Sequence, residues 1–247
     1  MKSKNIFVFI LVIIIFLGGI YLGRTLFSDK TIEEKIVYKE SSVKDLRRNE
    51  IGIPAVNENN NGVIATLVTE VKPGNGLVLV NINDILADFY TQFSARTAAS
   101  VASNYTGVNL SNLDVVYQIK ANASIVGGPS AGAAMTVATI ALLSNKELEE
   151  NVMITGAINQ DGGIERVGAD PQKAEAAKNI GIKLFLVPEG DNVKASEYIK
   201  EKSCNNYDGL IFCQIIYKPQ EVKLFKDSDL EIKEVKNIDE AAKLFLK

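Results

Sequence analysis

The chain has 247 residues, 47% of them hydrophobic and 23% charged, with 27 Lys and Arg against 30 Asp and Glu for a formal net charge of −3. That length allows one substantial domain with additions, and the charge gives no electrostatic ground for a nucleic-acid partner. Histidine is absent and cysteine occurs twice, which excludes a Ser-His-Asp triad, a Cys-His dyad and the usual structural zinc sets within one chain.

No G-x-x-x-x-G-K-[ST] occurs in these residues, so they encode no P-loop ATPase. No metal and no cofactor are expected. Any hydrolytic chemistry falls to Ser, Thr, Lys, Tyr or carboxylates.

Residues 5 to 23, NIFVFILVIIIFLGGIYLG, carry no charge. As a helix this run would be roughly 30 Å long, enough for a bilayer core. The alternative is a cleaved signal peptide, whose apolar core is shorter and ends in a small-x-small site. Here the run is long and ends at Gly23, Arg24 and Thr25. The expectation is an uncleaved membrane anchor over 1–24. Lys2 and Lys4 precede it, and a charge-mixed stretch follows. The positive-inside bias then favours a single-pass membrane protein with an extracytoplasmic body. The charge-rich residues 25–55 read as a stalk or linker, in which a short helix or strand has room to form. The compact domain is expected over 56–247, starting near the loop tip NENNNG.

Within that domain strands and helices alternate. Val63 to Val71 has strand composition, and Lys72-Pro73-Gly74-Asn75-Gly76 is a turn signal. Leu77 to Val80 is then a second short strand, consistent with a hairpin. The helical pattern that follows starts at an Asn83 or Asp84 cap and runs to Val101. Leu113 to Ile119 is a strand. Ala131 to Leu143 is an apolar helix, Val152 to Thr155 a buried strand, and Gly162-Gly163 a turn into Ile164 to Val167. Asp170-Pro171 opens a helix that stops at Gly181. Lys183 to Val187 is a strand, Lys194 to Lys200 reads as helix, and Ile238 to Leu246 closes the chain as helix. The fold class is α+β with α/β-like alternation.

Cys204 and Cys213 enclose CNNYDGLIFC. A hairpin-like loop this short suits a disulfide outside the reducing cytosol, and it equally suits two ordinary thiols. N-x-[ST] sequons at Asn104, Asn109 and Asn122 add weak support for an external body.

Gly127-Gly128-Pro129-Ser130-Ala131-Gly132 is a tight turn leading into a helix. Ser130 would sit at the positive end of that helix, beside backbone N–H groups with no intrahelical partner. Three uses fit: a structural cap, a nucleophile beside an oxyanion hole, or a phosphate cradle. A serine nucleophile without histidine needs another base, and a lysine serves when burial keeps it neutral. Lys173 is the candidate, one turn into an alanine-rich helix. The ordinary alternative is a solvated lysine, the expected fate of Lys178 and Lys183.

The segments VGGPSAGAAMTVATIALLSN and VMITGAINQDGGIERVGADPQKAEAAKNIGIKLFLVPEGD resemble the proteolytic domain of Lon proteases. The resemblance is strong from about 124 to 191 and fainter over 62–123. It implies a Lon-type proteolytic domain and a serine endopeptidase. It makes Ser130 the nucleophile, Lys173 the general base and Thr155 the residue that holds the lysine, with backbone N–H groups around Gly128 and Ser130 at the oxyanion. It further implies peptide or unfolded-protein substrates and a homo-oligomer, since domains of this family form rings, commonly hexamers. Two departures stand out. Lon proteases usually carry an acidic residue where this chain has Gly127, and Glu where it has Ala157. A full Lon protease also carries an ATPase module, which these residues lack, so either a separate ATPase chain feeds the domain or it cleaves without ATP; the expected extracytoplasmic body favours the second. The alternative is an inactive Lon-like domain that binds extended chains by strand addition. A phosphate-binding enzyme is disfavoured, because no acidic metal ligands or basic phosphate clamps lie close to the turn in sequence.

Overall fold

Nine residues of the charged segment before the expected domain, 47–55, belong to its first strand. In the computed structural model, Arg47–Val56 (β1) pairs antiparallel with Gly62–Pro73 (β2) along its full length. Its charged side chains are paired outward: Arg48 reaches Glu50 and Glu70, and Lys120 reaches Glu50. Its other anchors are on a helix: Arg47 Nη1 donates to the Leu142 carbonyl at 2.7 Å, and Asn49 Nδ2 to that of Ala138 at 2.9 Å. The structure describes residues 16–19, 43–83, 86–122, 125–190, 194–207, 210–223 and 229–247, with backbone alone at 125–126, 194–207 and 210–223.

Val78–Asn81 (β3) follows, then Leu86–Ala87 (β4) and the helix Phe89–Thr106 (α1). Leu113–Lys120 (β5) precedes Ile125–Val126 (β6) and the helix Gly132–Ser144 (α2). The main sheet has the order β1-β2-β5-β3. β3 is parallel to β5 and not hairpinned onto β2. The cause lies in the turn: Asp114 Oδ1 accepts from Asn75 N at 2.8 Å and Leu77 N at 3.0 Å, carrying the chain across the start of β5.

Val152–Ile154 (β7), Ala157–Ile158 (β8) and Ile164–Glu165 (β9) lead to the helix Asp170–Asn179 (α3). Leu184–Pro188 (β10) lies between β7 and Glu231–Val235 (β13) in an all-parallel sheet. Ile238–Phe245 (α4) ends the fold, capped by Asn237. Between them, Lys194–Tyr207 (β11) and Leu210–Lys223 (β12) form an antiparallel hairpin. The helix expected over 194–200 is therefore strand. The register sets Cys204 opposite Cys213, and their side chains lie outside what is described.

The core explains these choices. Every residue of α2 from Gly132 to Leu143 is buried, as a mostly apolar helix can be when its two buried hydroxyls, Thr136 and Thr139, bond back to the Gly132 and Met135 carbonyls. α1 presents Ala95, Ala98, Ala99 and Ala102, all fully buried, so the two helices approach closely. A second cluster of Met153, Ala174, Ala177, Ile182, Phe185, Val187 and Leu230 fastens α3 to its sheet. At Gly132 an added Cβ would lie 2.8 Å from Ile158 Cγ2 and 3.0 Å from Ile158 N. β8 would have to shift, so Gly132→Ala should destabilise by about 1–3 kcal/mol, read as a lower denaturant midpoint at unchanged slope.

The expected single-pass membrane placement is corrected. Among the described residues no helix is long and apolar enough to cross a membrane. Of residues 5–23 only Phe16–Gly19 are described, a single helical turn, where a span needs about 20 residues. The rest of that run lies outside the described residues.

Candidate active site

Three backbone segments meet at the Gly-rich turn. Gly128 has φ +94°, a left-handed conformation that glycine adopts at low cost. Gly132 N closes the turn on the Pro129 carbonyl at 3.0 Å. The cap position of α2 is Ala131, with no side-chain cap bond. Ser130 is therefore not engaged in capping, which removes one of the three readings of the turn. It is part-exposed at the mouth of the helix.

The dipeptide Thr155-Gly156 runs beside this turn. Gly156 N donates to the Ser130 carbonyl at 3.0 Å, and Ala133 N donates to the Gly156 carbonyl at 3.0 Å. A Cβ at Gly156, whose φ is +150°, would meet Ile164 Cγ2 at 2.5 Å. Thr155 N is held by the Leu186 carbonyl of β10 at 3.0 Å. The Thr155 side chain is fully buried, and Lys173 Nζ donates to its Oγ1 at 3.2 Å.

Lys173 comes from α3 and is only 3% exposed. Burial disfavours its ammonium. Asp170, one turn earlier and also buried, opposes that effect with Oδ1 3.9 Å from Nζ. Ala169, just before, has φ 63°, a left-handed conformation costing an alanine roughly 1–2 kcal/mol. The entry to the lysine helix is thus strained. The structure brings Lys173, Thr155 and the Ser130 backbone onto one dipeptide. Lys178 and Lys183 are exposed, as ordinary lysines are.

Asp170 was not among the residues singled out from sequence. Its signal was present: D-P-Q-K puts a carboxylate and an amine at i and i+3 on one helix face. Asp88 was also missed. It caps α1, where Asn83 or Asp84 was expected, and Oδ1 accepts from Thr91 N at 2.7 Å. Its other oxygen accepts the Gly128 N–H at 3.0 Å. The N–H of Gly128 is therefore engaged by Asp88. Burial pushes the Asp88 carboxyl up, but N–H and hydroxyl donors from Thr91, Gly128 and Tyr90 outweigh it and hold it below the usual carboxylate range. With a lowered folded pKa, its stabilisation is present at neutral pH and fades only as pH falls below the ordinary 3.8. Gly127 removes a carboxylate from the turn, yet Asp88 brings one there. Ala157 is buried in β8 opposite Glu165. Among the described residues no cluster of three or more His, Cys, Asp and Glu could hold a metal ion.

A family model for the Lon protease (S16) C-terminal proteolytic domain matches residues 59–215, more than half of the chain. An archaeal Lon protease of Thermoplasma acidophilum is 27% identical over 219 residues, covering 80% of this chain and 32% of the relative. One of Archaeoglobus fulgidus is 28% identical over 170 residues, covering 67% and 27%. Lon protease 2 of Syntrophobacter fumaroxidans is 30% identical over 121 residues, covering 48% and 15%. The chain thus spans about a third or less of the length of these relatives. The matched span runs from β2 through α3 into the hairpin and includes the Gly-rich turn, Thr155 and Lys173, so the chain belongs to the Lon protease (S16) proteolytic-domain family, a family of serine peptidases with a Ser-Lys dyad.

Proposed function

We propose that this chain is a serine endopeptidase that hydrolyses peptides or unfolded proteins without ATP, with Ser130 as nucleophile and Lys173 as general base. The observation that carries the reading is a buried lysine, bonded to Thr155, next to the dipeptide that hydrogen-bonds Ser130. Ser130 Oγ attacks the scissile carbonyl while neutral Lys173 takes the hydroxyl proton. Lys173 then returns that proton to the leaving amine, and water, activated by the same base, releases the acyl group. Thr155 Oγ1 fixes the lysine rotamer. The oxyanion would be met by the Ser130 N–H at the positive end of α2. Family membership also supports assembly into a homo-oligomeric ring.

The test is cleavage of casein or a fluorogenic peptide by the purified protein in nucleotide-free buffer, beside Ser130→Ala. Cleavage abolished in Ser130→Ala supports the reading. Absence of cleavage by the unmodified protein, combined with binding of extended peptides, would favour the inactive chain-binding alternative.

A further inference from the structure

We propose that Asp88 is a positioning residue for the nucleophile, its carboxylate clamping the turn that presents Ser130; this rests on Ser130 being the nucleophile. A helix cap uses one side-chain acceptor. Asp88 fills that duty with Oδ1, which accepts from Thr91 N. Oδ2 is not needed for capping, and it leaves the helix to accept the Gly128 N–H, two residues before Ser130.

The clamp extends along α1. Thr91 Oγ1, which shares its one proton between Asp88 and the turn, lies 3.3 Å from the Gly128 carbonyl, and Ser94 Oγ reaches the Pro129 carbonyl at 3.5 Å. The first two turns of α1 therefore hold both sides of Gly128 and the carbonyl beyond it. The turn needs holding. Two adjacent glycines make the freest backbone available, and Gly128 sits at φ +94°. Gly127 and Asp88 are also matched in space: a Cβ at 127 would lie 2.8 Å from Asp88 Oδ2. The carboxylate occupies the volume that a side chain at 127 would need. An error of about 1 Å in the placement of a nucleophile costs on the order of 100-fold in rate, so a clamp on this peptide acts on turnover without touching substrate.

Asp88→Asn separates clamp from cap. Asn caps helices as well as Asp does, but it has one oxygen and one NH2 where Asp has two oxygens. It cannot accept from Thr91 N and Gly128 N at two separate atoms. Gly127→Ala attacks the same bond from the other side. For wild type, Asp88→Asn, Gly127→Ala and Ser130→Ala, the readings are melting temperature, kcat and KM on a fluorogenic peptide, and amide exchange across residues 125–131.

Both clamp variants should lose about 30- to 100-fold in kcat with KM within about threefold. Gly128 exchange should quicken about tenfold or more, while Asp88→Asn, which keeps the cap and gives up only the carboxylate's bond to Gly128, should melt modestly below wild type and still as one cooperative unit. A purely capping Asp88 predicts the reverse: Asp88→Asn with wild-type kcat and unchanged Gly128 exchange, and that result overturns the proposal. If wild type cleaves nothing beyond the Ser130→Ala background, the peptidase reading fails, and Gly128 exchange alone still decides whether the clamp exists.

Discussion

Ser130→Ala and Lys173→Ala should each lower kcat/KM by about a thousandfold or more, and the double variant should fall no further than either single one. Residues that act as one unit are non-additive, because the proton transfer is lost whichever partner is removed. The two single variants should nonetheless differ in stability. Ser130 is part-exposed and makes no cap bond, so Ser130→Ala should melt with wild type. Lys173 is 3% exposed beside the buried carboxylate of Asp170. Truncating it removes the cation 3.9 Å from that carboxylate, and breaking a buried pair costs up to about 3–5 kcal/mol. Pairing Lys173→Ala with Asp170→Asn should recover much of this stability and none of the activity. Thermal melts and single-turnover cleavage on wild type and these four variants check both halves. Near-wild-type turnover in Lys173→Ala would remove it as the base.

The elements visible in the sequence are those whose local pattern and tertiary role coincide. α2 is mostly apolar on every face and buried from Gly132 to Leu143. α3 has Pro in its first turn and Ile180 at its C-cap, and Gly181 follows as the expected C′ residue at φ +85°. β1 was hidden because it is an edge strand whose outward positions carry charges. Arg48 and Glu50 look like linker residues until Glu70 and Lys120 arrive on neighbouring strands. The KPGNG turn was legible, but its partner was not. Asp114, some forty residues on, decides that β3 runs beside β5. At the site, Ser130 and Lys173 were legible from residue type, motif and spacing. Asp88 was not, since three cap-forming residues lie within six positions and only the fold selects the one that also reaches Gly128.

Replacing Asp170 by Asn should move the rising limb of the pH–rate profile to lower pH by about 1–3 pH units, the span an opposite charge at this distance produces. The sign follows from the role of the lysine. A general base acts only when neutral, so kcat/KM climbs with pH as the ammonium gives up its proton. Asp170, with Oδ1 3.9 Å from Nζ, favours the ammonium and delays that step. An amide at 170 removes that attraction and so raises the neutral fraction at any pH below the limb. For every pH unit that the limb moves down, about tenfold more of the enzyme is active there. The alkaline plateau should drop modestly, because a less basic amine is a weaker proton acceptor. With no histidine in the chain, imidazole cannot supply the limb. Initial rates on a fluorogenic peptide from pH 6 to about 11, for wild type and Asp170→Asn, decide the matter within the stable range of both. A limb that stays in place would mean that Asp170 does not face the working amine. A limb that moves upward would contradict lysine as the base, since losing a neighbouring negative charge cannot make an ammonium harder to deprotonate.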